Sequence, residues 1–572
     1  MDKNFIKIFV TLSAFLSLTL TSCSQTVQYL TPDDPGTATI KIFKDNNSTS
    51  KNRYIAPKNV KLKYSYSSLG GLLANNETVC PSIGDVNLLI IPIHVPGAEK
   101  YKTDIVKNDI EAMFFSENSE RMGYKSLKEF FKESSYNKLN LKGKVTDWFN
   151  VSEETYIKSA NQITAGSYGT IMNTILPEAI NWAKTSQNIN LKDFDKNQDG
   201  AIDAVWLVYD HLDWNTHINQ SLKENPNYDG NDLNTSFDTF TTWDFESPNA
   251  EKGEDPTVGA FSWISISKMY TSYCERDING FENLNNLSDI LLDSHPFIHE
   301  MGRLLGLNDY SASDNESYHP AGSSTMMDQN IGDFDSYSKM LLGWVTPYVV
   351  YGTSEILIPT ATSSDKGVIV IPSNFEDISE TIESYNKNKL DSFVYEFNPF
   401  SEYIMIDLYS PDGLNKQDAF GPNFIYDRGF GVRSTGVRIY HVDSRIFKCT
   451  VVSYMGGQKL TYNPKNYEWD GGSIANNQLI LLPISNQKIE NMSYQLPEEF
   501  DFYDQIRLLE ASGFDSFSQG NYATDDTLWT TESNPFDINT FGYQFFNANY
   551  GFNTGDELPF KIKVNTLKGV NL

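Results

Sequence analysis

The chain has 572 residues, of which 40% are hydrophobic and 21% charged, a length that allows more than one domain and a composition typical of globular proteins. Asp and Glu number 74 and Lys and Arg 45, so the formal net charge is −29. A negative field of this size repels nucleic acid and anionic membrane surfaces, which argues against nucleic-acid partners and suits an extracytoplasmic protein or one that holds cations.

The N-terminus has the pattern of a secretion signal. Lys3 and Lys7 precede the apolar stretch "IFVTLSAFLSLTL", which is too short to span a bilayer. The following "LTSC" resembles a bacterial lipobox, the site where signal peptidase cuts before a lipid-modified cysteine. We therefore predict a signal peptide over residues 1–22 and a lipid on Cys23 that holds the protein to the outside of the cell membrane. The alternative is an ordinary cleaved signal in which Cys23 is incidental.

Residues 23–84 are predicted to be a lipid-anchored tether. The segment is rich in Asn, Ser and Pro, with one possible strand in "ATIKIF", and as a flexible linker it would reach about 40 Å in root-mean-square terms. Three cysteines remain beyond the lipidation site, which allows at most one disulfide and leaves open whether it forms. These are Cys80, Cys274 and Cys449.

Residues 85–350 are predicted to form an α/β domain. The runs "VNLLIIPI" and "AVWLVYD" are apolar almost throughout, as is typical of strands covered on both faces. Leu127, Phe130 and Phe131 have helical spacing. Strands that alternate with helices in this way favour an α/β fold.

Residues 351–572 are predicted to form an all-β sandwich. The segments "SEILIP", "GVIVIP", "EYIMIDLYSP", "GVRIYHVD" and "NQLILLP" are short and apolar, and Gly, Pro, Asn and Asp separate them. Short strands with turn residues between them are the usual sequence pattern of a sandwich.

The stretch "HPFIHEMGRLLGLNDY", residues 295–310, contains a predicted amphipathic helix with a metal-binding motif. Asp293 or Ser294 can cap the start of this helix, and Gly306 can end it. In H-E-x-x-H, two histidines one turn apart bind zinc, and the Glu acts on a metal-bound water. His299 and Glu300 fill the first two places, but Arg303 stands at the second histidine. Asp309 follows the helix, where many zinc peptidases place a third ligand. The apolar stripe consists of Phe297, Ile298, Met301, Leu304 and Leu305.

Arg303 cannot be a metal ligand, because its guanidinium group offers donors but no lone pair and stays charged. Zinc lowers the pKa of bound water from about 15.7 to about 7. This shift corresponds to at most about 12 kcal/mol of free energy for making the hydroxide nucleophile. A general base alone supplies roughly 3–5 kcal/mol. Without zinc, proteolysis should therefore vanish. Two rescues remain open: a shifted site of His295, His299 and Asp309, or a weak two-ligand site of His299 and Asp309.

The ordered motifs resemble the immune inhibitor A family of secreted zinc metallopeptidases. The family pattern of H-E-x-G-H-x-x-G-L-x-D, a methionine turn and a K-x-x-L-G-W close corresponds here to "HEMGRLLGLNDY" and "AGSSTMMDQNIGDFDSYSKMLLGW". The resemblance implies an α/β zincin-like metallopeptidase domain followed by an all-β sandwich domain, and protein or peptide substrates. It also implies that His299 is the first zinc ligand, Glu300 the general base and Asp309 the third ligand, with Arg303 the departure.

This resemblance leaves three functions open. The chain is a metallopeptidase relative with little or no activity, an active zinc endopeptidase that uses the shifted site, or a non-catalytic surface protein that binds glycan or a host protein. The zinc content of the purified protein distinguishes these functions. About one zinc per chain would favour the active endopeptidase, and no zinc would favour the other two.

A second metal motif lies in "DFDKNQDGAIDAVW". Oxygen-bearing side chains stand at loop positions one, three, five and nine and Gly at six, as in the calcium loop of an EF-hand. Position twelve is Trp206 instead of Glu, and a strand replaces the exiting helix. We predict a structural calcium ion here; the alternative is a polar turn that leads into the strand. The candidate ligands are Asp195, Asn197, Asp199 and Asp203.

Overall fold

The computed structural model describes part of the chain. The signal peptide and Cys23 lie outside it. Among the described residues, no helix has the length and apolar character needed to cross a membrane. The described residues are 36–44, 52–59, 80–155, 171–211, 239–243, 255–270, 291–311, 318–328, 330–372, 402–421, 431–454, 457–461, 474–483, 486, 503–541, 552–553, 555 and 558–569.

Strands and helices are numbered in chain order. The strands are β1 Thr37–Phe43, β2 Tyr54–Ile55, β3 Gly84–His94, β4 Leu139–Val145, β5 Phe149–Asn150, β6 Ala201–Ile202, β7 Ala204–Tyr209, β8 Phe240–Trp243, β9 Thr257–Val258, β10 Ala260–Ser265, β11 Tyr348–Val350, β12 Ser354–Pro359, β13 Val368–Pro372, β14 Glu402–Tyr409, β15 Gly436–Asp443, β16 Ile446–Tyr454, β17 Gly457–Thr461, β18 Ile474–Pro483, β19 Ile506–Leu509 and β20 Lys561–Lys568. The α-helices are α1 Asp104–Phe115, α2 Leu127–Ser134, α3 Leu176–Ser186, α4 Ser267–Tyr270, α5 His295–Leu304, α6 Ser336–Leu341, α7 Lys416–Phe420 and α8 Ile538–Phe541.

The first half of the described chain is built on a mixed sheet in the order β4-β3-β7-β10-β8. β4, β3, β7 and β10 run parallel, and β8 pairs antiparallel with β10 at the edge. All six residues of β7 are buried, which confirms the prediction of a strand covered on both faces. The predicted helix is α2, where Ser126 and Glu129 form a capping box and Leu127, Phe130 and Phe131 are buried.

The second half is rich in β-structure. One sheet has the order β19-β15-β14-β13-β11-β2, a second β12-β1-β20 and a third β17-β16-β18. The segments predicted as strands from sequence correspond to β12, β13, β14, β15 and β18. One apolar cluster contains residues of both the first and the second of these sheets, among them Ile40, Ile358, Ile406 and Ile439.

Two pieces of the predicted tether belong to these sheets. β1 pairs antiparallel with both β12 and β20, and β2 pairs with β11. Ala38, Ile40 and Ile42 are buried, because alternate residues of a strand face the same side. The description of residues 23–84 as a tether therefore does not hold for these two strands.

Apolar packing is continuous across residue 350, the predicted boundary between the domains. One cluster joins Leu88 and Trp206 of the first sheet to Met405 and Leu508 of the later strands. Residues Asp34–Leu572 form one compact unit. The boundary stays a prediction, and the two parts share a core.

Candidate functional site

The predicted metal-binding helix is α5, and aromatic packing holds it on the first sheet. The ring of Phe297 stacks on Trp206 at 5.9 Å and meets Phe114 edge-on at 5.8 Å. On another side of the helix, a Cβ added at Gly302 would lie 2.8 Å from the sulfur of Met327. Glycine therefore lets the methionine turn approach the helix closely.

The ends of α5 follow the predicted signals. The backbone N–H of His295 donates to Oδ1 of Asp293 at 3.1 Å, and its Nδ1 lies 2.7 Å from Oδ2 of the same carboxylate. Ser294, the residue before the helix, makes no side-chain cap. After the last turn, Gly306 has a φ of +102°, a conformation that glycine adopts without strain. Asp293 therefore caps the helix, and His295 is oriented toward this cap.

The ring of His299 on α5 lies between two hydrogen-bond acceptors. Its Nδ1 lies 3.0 Å from the carbonyl oxygen of Met326, and its Nε2 lies 2.9 Å from Oδ1 of Asp309. Both contacts are hydrogen bonds only when the ring is an imidazolium that donates from both nitrogens. Burial opposes this charge, but the carboxylate of Asp309 and, more weakly, that of Glu300 raise the pKa of His299 above its usual value.

Arg303 lies between the two carboxylates that the motif supplies. Its Nη1 donates to Oδ2 of Asp309 at 3.0 Å, and its Nε lies 3.9 Å from Oε2 of Glu300. Asp309 thus contacts His299 through one oxygen and Arg303 through the other. The guanidinium group is a cation in direct contact with one carboxylate and within ion-pair distance of the other.

Glu300 is buried, and its partner comes from the edge strand of the first sheet. The hydroxyl of Thr241 on β8 donates to Oε2 of Glu300, and Thr241 also lies 3.1 Å from the hydroxyl of Ser262 on β10. No local sequence pattern points to Thr241, because the contact joins residues 59 positions apart. A hydroxyl donor orients the carboxylate that the motif would use as a base.

These residues do not fit a zinc ion. Arg303 cannot ligate, and His299 and Asp309 are two ligands where structural and catalytic zinc sites use three or four. His295, the third member of the shifted site, is directed to Asp293. In the described part of the chain, no group of three or more His, Cys, Asp or Glu side chains has the arrangement of a metal site.

The predicted calcium loop is a turn closed by its own side chains. The two oxygens of Asp195 accept the N–H groups of Asp199 and Gly200, each at 3.1 Å. Asn197 donates to Asp199 at 2.6 Å. Gly200 has a φ of +90° with open space around it. Three of the four candidate ligands are therefore drawn together.

Asp203, the fourth candidate, is engaged elsewhere as well. Its oxygens accept the N–H groups of Lys196 and Asn87, both at 3.1 Å. Burial raises its pKa to about 6, although these two hydrogen bonds favour the charged form. The Asn87 bond ties the loop to β3, so the loop is part of the framework of the first sheet.

One comparison with known proteins gives a match. The family model for the immune inhibitor A peptidase M6 catalytic domain matches residues 83–209. The matched segment runs from β3 through β7 and is less than a quarter of the chain. It ends before α5, so it does not test His299, Glu300, Arg303 or Asp309. A search of the curated proteins found no match.

Proposed function

We propose that the chain is a cell-surface lipoprotein of the immune inhibitor A family of zinc metallopeptidases with a degenerate metal site. The match of the family model to residues 83–209 supports the family. In this proposal the chain binds proteins or peptides in the cleft of a peptidase and does not hydrolyse them by the zinc mechanism. The observation that carries the proposal is the contact between Arg303 and Asp309.

Charge supports this function. The carboxylates of Glu300 and Asp309 are balanced by the guanidinium of Arg303 and by His299 when it is protonated. A zinc ion about 4 Å from a guanidinium group would be repelled by roughly 8 kcal/mol at an effective dielectric constant of about 20. Structural zinc ions bind with apparent free energies of about 10–16 kcal/mol. The repulsion alone would cancel half or more of that binding free energy.

A peptide ligand is supported by the position of β8. This strand pairs with β10 on one side and is the edge of the sheet among the described strands. It also carries Thr241, which contacts Glu300. An exposed sheet edge binds an extended peptide by adding it as a further strand. Such a peptide would lie beside α5 with its backbone near the altered site.

Three structural features complete the proposal. A signal peptide over residues 1–22 and a lipid on Cys23 would place the protein outside the cell. A calcium ion would bind the loop that contains Asp195, Asn197 and Asp199. The sheet β12-β1-β20 would stack on the sheet β19-β15-β14-β13-β11-β2, and the two would be the layers of a β-sandwich. The apolar cluster that contains residues of both sheets agrees with this arrangement.

Metal analysis and a protease assay test the main proposal together. Purified native protein is expected to contain much less than one zinc per chain and to leave casein intact, with or without added zinc. The Glu300→Ala variant serves as a control for contaminating protease. Zinc-dependent cleavage by the native protein that disappears in Glu300→Ala would overturn the proposal and favour the shifted site with His295.

A further inference from the structure

The segment around the methionine turn provides one of the two acceptors beside the His299 ring. The carbonyl oxygen of Met326 lies 3.0 Å from Nδ1 of His299. The backbone N–H of Met326 donates to the carbonyl oxygen of Asp333 at 3.2 Å. We call residues 324–328 and 330–336 the methionine loop. The position of this loop therefore determines where the acceptor for the ring lies.

The methionine loop is closed by its own side chains. The hydroxyl of Thr325 donates to Oδ2 of Asp335 at 2.7 Å and accepts the N–H of the same residue at 3.0 Å. Asp335 also caps α6, because its other oxygen accepts the N–H of Ser338 at 2.9 Å. These bonds fix the shape of the loop. They do not fix its position relative to α5.

An ion pair of the β-rich half holds both ends of the loop. Nε and Nη2 of Arg438 on β15 donate to Oδ1 and Oδ2 of Asp407 on β14, each at 2.8 Å. Nη1 of Arg438 donates to the carbonyl oxygen of Ser324 at 3.4 Å. Oδ2 of Asp407 accepts the hydroxyl of Ser336 at 2.6 Å. The pair thus contacts the residue at each end of the methionine loop.

This ion pair is better suited to orient the loop than to stabilise the fold. Asp407 is fully buried and Arg438 almost so. The guanidinium carbon lies 5.2 Å and 5.4 Å from the ring centroids of Tyr409 and Tyr440. Removing two charges from water costs about as much as their attraction returns, so apolar residues of similar size often give equal or greater stability. A bidentate pair does fix the direction of its groups.

We propose that Arg438 is a positioning residue for His299. Together with Asp407 it holds the methionine loop so that the Met326 carbonyl accepts Nδ1–H of the ring, which directs Nε2 toward Asp309. The β-rich half then forms part of the altered site, although Arg438 lies outside the matched residues 83–209. The inference rests on the proposed function for the use of this site. It does not depend on the absence of zinc, because a zinc-bound histidine also donates its other ring N–H.

The Nδ1–H proton of His299 is the spectroscopic signature that tests this role. In protein labelled with ¹⁵N-histidine, a hydrogen-bonded ring N–H resonates downfield and exchanges slowly with water, and His299→Gln identifies the signal. A double variant, Arg438→Met with Asp407→Leu, removes both charges, an exchange that often leaves folding intact. We expect its His299 proton to move upfield and to exchange roughly tenfold faster. Absence of a hydrogen-bonded signal from the native protein would overturn the proposal.

A matched control replaces a second bidentate pair at the end of β15. Arg445 donates to Asp443 at 2.7 Å and 2.8 Å. Arg445→Met with Asp443→Leu should leave the exchange rate of the His299 proton within about twofold of native. A control that changes the signal as much as the first double variant would overturn the proposal.

A single variant keeps the test decisive if the first double variant does not fold. Ser336→Ala removes one link to the loop and leaves the ion pair intact, so we expect a change in the same direction, roughly threefold in exchange rate. A native His299 signal in this variant, or in the folded double variant, would overturn the proposal. Zinc content and casein cleavage decide the proposed function separately, since neither depends on this signal.

Discussion

Nη1 of Arg303 donates to Oδ2 of Asp309 at 3.0 Å, at the place where the family pattern puts two zinc ligands. The same side chain lies 3.9 Å from Glu300, three residues earlier on α5. One cation thus binds Asp309 directly and lies within ion-pair distance of Glu300, and these two carboxylates would otherwise repel each other. Arg303 thus balances negative charge at this site and, having no lone pair to offer, cannot be a metal ligand.

Replacement of Arg303 by His is expected to restore a zinc site. The variant regains the H-E-x-x-H set and loses the guanidinium charge, so it should bind about one zinc per chain and show weak, chelator-sensitive cleavage of casein. Zinc is measured by atomic emission and cleavage by release of labelled peptides. Arg303→Lys is the control, because it keeps the charge and should bind no zinc. An Arg303→His protein that folds and takes up no zinc would contradict this account of the site.

The local part of the site was predictable from sequence, and the long-range part was not. The closeness of Arg303 to Glu300 can be expected from their three-residue spacing on a helix. Asp309 comes soon after the end of α5, so its position near them can be expected as well. Thr241 reaches Glu300 only because β8 folds back against β10, which no local pattern encodes. In the same way, "ATIKIF" is recognisable as a strand, but its place between β12 and β20 depends on pairing with residues more than 300 positions away.

The hydroxyl of Thr241 is expected to stabilise the fold through Glu300. In Thr241→Val the shape is kept, but the buried carboxylate loses a donor, so the free energy of unfolding should fall by about 1–3 kcal/mol. Thr241→Ser keeps the hydroxyl and should cost less. Urea denaturation measures the free energy of unfolding of the native protein and of these two variants. Thr566→Val removes an exposed hydroxyl bond and should change stability by less than about 0.5 kcal/mol. Equal effects at positions 241 and 566 would count against the role of the Glu300 contact.

Calcium is expected to stabilise the loop that begins at Asp195. An ion that binds only the folded state, at a hundredfold excess over its dissociation constant, adds about 2.7 kcal/mol to stability. Chelator should therefore lower the melting temperature of the native protein and leave Asp199→Ala almost unchanged. Asp193→Ala, an exposed residue just before the loop, should respond to chelator as the native protein does. A melting temperature that chelator leaves unmoved in the native protein would exclude a structural calcium ion.

Lipidation at Cys23 is expected to determine where the protein is found. In bacteria fed a labelled fatty acid, the native chain should carry label and sediment with membranes, because several acyl chains hold a protein far better than one. Cys23→Ala should lose the label and appear in the soluble fraction. Cys80→Ala, which changes a buried cysteine, is the control and should keep the label. Persistent label in Cys23→Ala would show that the lipobox interpretation is wrong.

The pH dependence of stability is expected to depend on Asp210, which follows β7 and lies beside His94. Its Oδ2 lies 2.5 Å from Nδ1 of His94, and its Oδ1 accepts the N–H of Val95 at 3.0 Å. Burial raises the pKa of Asp210 to about 6, although these hydrogen bonds act in the opposite direction. In the unfolded chain the same carboxyl titrates near 3.9. Between these values the folded protein holds a proton that the unfolded chain releases.

The sign of the effect follows from this difference. The contribution of Asp210 to stability is complete below about pH 4 and is lost as the pH rises through about 6, with an upper limit of about 3 kcal/mol. Asp210→Asn has no proton to lose, so the stability of the native protein relative to this variant should fall from pH 4 to pH 6 and then level off. Urea denaturation at several pH values measures the difference, with the exposed Asp526→Asn as the control. A difference that rises with pH across this window would show that the carboxyl is ionised in the fold, because His94 then outweighs burial.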